Sequence, residues 1–63
     1  MRGKKAIVKK ELFTERGWKK RLNKGEVVTI LSSEVDSYNK VSVTSTMRYY
    51  PIHNVPIDIL EIQ

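Results

Sequence analysis

Apolar and polar residues alternate in short runs along this chain, which predicts a protein built mainly from β-strands. The clearest alternation lies in Tyr38–Thr44, where we expect Val41 and Val43 to point inward and the polar residues between them to point outward. The run Glu26–Leu31 is rich in β-branched residues, which are typical of strands. These two runs predict two strands that each place every second side chain in a core.

Two further runs predict additional strands. Lys5–Lys9 is a short apolar run between basic residues, with Ala6 and Val8 on one face. Met47–Tyr50 is a strand candidate that Pro51 would end, because proline has no amide donor for a ladder.

The chain closes with a turn and a last strand. His53–Pro56 is expected to form a compact turn, such as one turn of 3₁₀ helix. Ile57–Ile62 is expected to be the final strand, and Tyr50 is expected to belong to the core.

The segment Thr14–Asn23 allows two interpretations. Thr14 could cap a short helix in which Trp18 and Leu22 share a face four residues apart. Gly17 would lie inside that helix at a cost of about 1 kcal/mol relative to alanine. We therefore favour a long hairpin loop with Gly17 at its tip.

The size of the chain permits one domain, residues 1–63, whose first four residues we expect to be frayed. The chain has 63 residues and no cysteine, so disulfides and thiolate metal sites are excluded. A single histidine, His53, does not make a zinc site without further ligands. No apolar run approaches the roughly 20 residues that span a bilayer, and we expect a cytoplasmic protein that contacts no membrane.

Basic residues are concentrated in the first part of the chain. Residues 1–24 hold ten Lys or Arg against two Glu, a local formal charge of +8, whereas residues 25–63 carry −3. Solubility alone does not require such segregation, although it could account for the net charge of +5. The asymmetry favours a polyanionic partner, such as nucleic acid or the acidic surface of a protein.

The candidate binding residues are basic side chains of this first part and the tryptophan among them. They are Lys9, Lys10, Arg16, Trp18, Lys19, Lys20, Arg21 and Lys24. Lysine and arginine bind phosphates, and an exposed tryptophan stacks on a base. In the alternative interpretation, Trp18 and Phe13 are core residues that hold the loop against the sheet.

Catalysis is disfavoured by the residue types present. His53 has no second general acid or nucleophile at a recognisable spacing, and three glycines form no phosphate-binding loop. We therefore expect neither an enzyme nor a bound cofactor or metal ion.

The order of these elements resembles an SH3-like small β-barrel. The residues that carry the resemblance are Lys24–Leu31, Tyr38–Val43 and Tyr50–Val55. The resemblance implies five strands, a long loop after the first strand and a 3₁₀ turn before the last. The chain departs from peptide-binding SH3 domains because Ala6–Lys10 contains no aromatic residue and the first loop is basic rather than acidic. The likeness thus supports the fold and argues against recognition of proline-rich peptides.

Two functions follow as hypotheses. The first is a module that binds DNA or RNA through residues 2–24, mainly by phosphate contacts and with little sequence preference. The second is a protein-interaction module or inhibitor that docks on an acidic face of a partner, with an exposed edge strand near Met47 adding to the partner's sheet. The oligomeric state is not predicted.

Overall fold

The computed structural model describes residues 1–14, residue 17 and residues 19–63. Within them the chain is mainly β. The strands, in chain order, are β1 (Lys5–Val8), β2 (Leu12–Phe13), β3 (Lys20–Leu22), β4 (Val27–Ile30), β5 (Lys40–Thr44), β6 (Ile52–Pro56) and β7 (Leu60–Ile62). A 3₁₀ turn, Ile57–Ile59, separates β6 from β7.

Five strands form one antiparallel sheet in the order β6-β5-β4-β1-β7, and β2 pairs with β3 in a separate hairpin. The register pairs Ala6 with Val28 on one side of β1 and with Ile62 on the other. The mainly β fold and the 3₁₀ turn before the last strand are confirmed. Among the described strands, β6 and β7 lie at the two edges of the sheet and do not pair with each other. The sheet is therefore not closed into the expected barrel.

The core forms where alternation along neighbouring strands points apolar side chains to the same face. Ala6 and Val8 on β1, and Val28 and Ile30 on β4, are all buried, and each pair shares one face of its strand. Their partners in the core are Leu22, Val41, Val43, Val55 and Leu60. Because all nine side chains are aliphatic, apolar burial is the main stabilising term of the fold.

The segment between β1 and β4 is a hairpin, in agreement with the loop interpretation. The Thr14 N–H donates to the Lys19 carbonyl at 2.8 Å, which closes the hairpin near its tip. Gly17 has a φ of +73°, in the left-handed region that glycine tolerates best. Glu15, Arg16 and Trp18 lie outside the described residues.

The prediction for residues 47–59 is wrong in its details. Met47–Tyr50 is not a strand, and His53–Pro56, expected to be a turn, belongs to β6. Ile57–Ile59, expected to begin the last strand, forms the 3₁₀ turn instead. β6 contains a residue with positive φ, Asn54 at +58°, and pairs with β5 through a register shift. Because β6 is an edge strand, Pro56 fits there without breaking a ladder on both sides.

The two ends of the chain are also held by hydrogen bonds. Gly3 donates to the Ile30 carbonyl at 2.7 Å, so residues before β1 lie against the end of β4. Gln63 donates to the Lys5 carbonyl at 2.8 Å beyond β7. Over the described part of the chain, no helix is long and apolar enough to cross a membrane.

Candidate functional site

One end of the sheet gathers basic residues from two separate parts of the chain. The Gly25 N–H donates to the Val8 carbonyl at 2.7 Å, which places the β3–β4 turn beside the end of β1. Lys24 in that turn therefore lies near Lys9 and Lys10, which directly follow β1. All three lysine side chains are exposed.

The β2–β3 hairpin adds three more cations. Lys19 and Lys20 are exposed, and Lys20 forms an ion pair with Glu11. Arg21 is half-buried and donates through its guanidinium to the main-chain carbonyl of His53. This contact ties β3 to the beginning of β6, so the hairpin cations lie beside the β5–β6 connection.

Arg48 in the β5–β6 connection supplies a cation that the sequence analysis did not select. Its guanidinium donates to both carboxylate oxygens of Glu26, at 2.9 and 2.7 Å. The Glu26 side chain is only 5% exposed, whereas that of Arg48 is 27% exposed. A bidentate pair of this kind fixes geometry as well as charge, and it anchors the connection to the start of β4.

We call the resulting region the basic end. It consists of Lys9, Lys10, Lys19, Lys20, Arg21, Lys24 and Arg48. Among the described residues its acidic side chains are Glu11 and Glu26, each paired with one of these cations. The other described residues hold four basic and four acidic side chains, and the charges of Glu15 and Arg16, outside the described residues, cancel. The charge of the basic end therefore equals the whole formal charge of +5.

An open groove of about 370 Å³ runs between the hairpin and the β5–β6 connection. It is lined by Thr14, Lys19, Lys20, Arg21, Arg48, Tyr50, Pro51 and Ile52. Four of these eight residues are cationic. The groove can therefore hold an anionic group that also offers an apolar surface.

The predicted site residues are only partly brought together in this groove. Lys19, Lys20 and Arg21 line it, while Lys9, Lys10 and Lys24 lie at the end of the sheet. Arg16 and Trp18 fall outside the described residues, so neither stacking nor core packing of Trp18 is tested. Phe13 is 47% exposed, which does not favour its assignment to the core.

The second wall of the groove was not predicted from the sequence. Tyr50 is 80% exposed there rather than buried, and Pro51 and Ile52 follow it. About 30 residues separate this wall from the hairpin, so only the folded topology brings the two together. The one feature of the sequence that could have indicated this wall is the adjacent tyrosine pair, Tyr49 and Tyr50.

The fold also brings Ser42 and His53 together across β5 and β6. The Ser42 hydroxyl oxygen and His53 Nδ1 lie 2.8 Å apart. A serine nucleophile needs a histidine that is itself oriented by a third group, and within the described chain no hydrogen bond reaches Nε2 of His53. We interpret the contact as a cross-strand hydrogen bond that stabilises the edge of the sheet.

The Glu26–Arg48 pair predicts that the protein becomes less stable as the solution is made acidic. Hydrogen bonds from Arg48 hold the pKa of Glu26 below its ordinary value, against the opposing effect of burial. Because the folded pKa is the lower one, this stabilisation is fully present above the unfolded value of about 4.3 and is lost as pH falls through the folded pKa. We expect the free energy of unfolding, measured by urea titration, to decrease below about pH 5.

A Glu26→Gln variant should lose stability at neutral pH and show a flatter profile in the acidic range. Glu34→Gln is the matched control, since Glu34 is exposed; it should keep the profile of the unmodified protein. An unchanged acidic profile in Glu26→Gln would show that the pair does not stabilise the fold.

We compared the chain with known proteins and protein families. No protein-family model, no curated protein and no solved structure matches the chain.

Proposed function

We propose that this chain is a non-catalytic module that binds nucleic acid through the basic end. The observation that supports the proposal is the concentration, among the described residues, of seven cations in one region against two acidic residues, each already paired. Nucleic acid matches this surface because its phosphates present a regular array of negative charge. Phosphate contacts carry no sequence information, so the module binds with little sequence preference.

Most of the cations are available to a ligand. Only Lys20 and Arg48 form ion pairs with a carboxylate in the described chain. Lys9, Lys10, Lys19 and Lys24 are exposed and project from turns or strand ends. Each cation that contacts a phosphate releases condensed counterions, which supplies most of the binding free energy at low salt.

We further propose that the fold has an SH3-like topology. Five strands in one antiparallel sheet, a long hairpin after β1 and a 3₁₀ turn before β7 support this assignment. The open edges formed by β6 and β7 are a departure from a closed barrel. The groove lies between the hairpin and the β5–β6 connection, and its basic lining does not suit a proline-rich peptide that carries its own arginine.

The proposal predicts a steep dependence of affinity on salt. Fluorescence anisotropy of a labelled oligonucleotide, single-stranded or duplex, measures the dissociation constant over a salt series. If the five cations without a described carboxylate partner contact phosphates, the logarithm of the association constant should fall with the logarithm of salt with a slope of about −4.5 on duplex DNA and about −3.5 on single strands.

Absence of binding to both forms at low salt would contradict the proposal. An acidic protein surface would bind the same cations. Affinity capture from nuclease-treated lysate distinguishes a protein partner from nucleic acid. Recovery of one stoichiometric protein partner, together with no affinity for oligonucleotides, would favour docking on a protein instead.

A further inference from the structure

The two walls of the groove differ in chemistry. The hairpin wall carries Lys19, Lys20 and Arg21, whose side chains are cationic. The opposite wall carries Tyr50, Pro51 and Ile52, which present ring and aliphatic surface beside the Arg48 guanidinium. A ligand that fills this groove therefore has an anionic side and a flat or apolar side.

We infer that the groove binds single-stranded nucleic acid, with the Tyr50 ring as a stacking platform for one base. The inference rests on the proposed function and assigns it a ligand class. The phosphates of the strand lie along the hairpin wall, and the base faces the Tyr50 wall. Grooves that combine cations with exposed aromatic rings are typical of proteins that bind single strands without sequence preference.

A duplex does not fit this arrangement. Its bases are stacked on one another inside the helix, so a tyrosine ring at the surface reaches only sugar and phosphate. A duplex would use the cations and leave Tyr50, which is 80% exposed, in water. A single strand uses both walls, because its bases are free to turn out and stack.

Contacts on both sides of Tyr50 hold its backbone in place. Two residues earlier in the chain, Arg48 is anchored to Glu26 by two hydrogen bonds, and its N–H donates to the Ser45 carbonyl at 3.1 Å. Directly after Tyr50 and Pro51, β6 begins and pairs with β5. The backbone that carries the Tyr50 ring is thus held on both sides, which reduces the backbone entropy lost when a base stacks on the ring.

The test compares a Tyr50→Ala variant with the unmodified protein by anisotropy on labelled oligothymidylate and oligouridylate of twelve nucleotides and on a duplex of equal length. Loss of one stacked base should weaken single-strand binding by about 5- to 150-fold. The slope with salt should stay unchanged, because no cation is removed. Duplex affinity should stay the same, and Tyr50→Phe should keep most of the single-strand affinity.

Tyr38→Ala is the matched control. Tyr38 is almost as exposed as Tyr50 but lies in the β4–β5 loop, away from the groove. It should bind single strands like the unmodified protein. Because both rings are largely exposed, we expect both variants to keep the fold, and circular dichroism checks this.

The outcomes separate this inference from the proposed function. Equal effects of Tyr50→Ala and Tyr38→Ala, or no effect of either, would overturn the stacking platform. Competition by a polyglutamate peptide as effective as that of unlabelled oligothymidylate would also overturn it, because charge alone would then explain binding. Duplex binding with no single-strand affinity would overturn the inference and leave the proposed function standing, whereas no binding to either would remove both.

Discussion

A Leu22→Ala variant should be largely unfolded under conditions in which the unmodified protein is folded. Leu22 lies on β3, and its side chain is fully buried at 0% exposure. Truncation of a buried leucine to alanine costs about 2–5 kcal/mol, because apolar contacts are lost and a cavity remains. A single core in a chain of this size supplies no more than about 3–5 kcal/mol of net stability, so the loss is comparable with the whole.

Urea denaturation followed by circular dichroism measures this loss. Val27→Ala is the matched control, because Val27 is exposed on β4 next to the core and should cost less than about 1 kcal/mol. Equal denaturation midpoints for Leu22→Ala and the unmodified protein would mean that the hairpin is not docked on the sheet. The basic end would then lose the contact that positions Lys19, Lys20 and Arg21.

Removal of three cations from the basic end should reduce affinity for nucleic acid by about two orders of magnitude near 0.1 M salt, since each phosphate contact contributes close to one unit of the salt slope. The basic-end variant replaces three exposed lysines with glutamine: Lys10, Lys19 and Lys24. The salt slope should decrease by about 2 to 3.

The matched control carries glutamine at Arg2, Lys4 and Lys5, which are exposed residues from the opposite end of β1. Both variants lower the formal charge from +5 to +2. Net charge alone therefore predicts equal losses, whereas our proposal predicts near-normal affinity in the control. Equal weakening in the two variants would show that the cations act only through the overall charge.

Sequence alternation located the strands that are buried on one face. Val41 and Val43 on β5 are buried as their spacing predicts, and Val28 and Ile30 share the buried face of β4. Such strands are predictable because each residue's face follows from its position alone. The hairpin was predictable for a different reason: Gly17, in the middle of the segment, disfavours a helix.

β6 was not predictable in this way because its pairing is irregular. Ile52 and Val55 both pack toward the core but are three residues apart. The register shift against β5 and the positive φ of Asn54 take up the odd spacing. Neighbouring tyrosines at 49 and 50 gave a stronger apolar signal than the strand itself, although both rings are exposed.

The candidate site was predictable only in its cations from the first part of the chain. Charge segregation identified Lys19, Lys20 and Arg21 without any structural information. The contribution of Arg48 depends on its pairing with Glu26, 22 residues earlier in the sequence, and no local pattern indicates it. The opposite wall of the groove likewise arises from contacts between distant segments, which a single sequence does not show.

The most direct test of the central claim is a map of the binding surface by NMR. Titration of the ¹⁵N-labelled protein with an oligonucleotide at low salt reports which backbone amides change their chemical shifts. Our account predicts that the largest changes fall at residues 9–10, 19–21, 24 and 48–52. Changes centred on residues 2–5 or 34–40, or an unchanged spectrum at low salt, would contradict it.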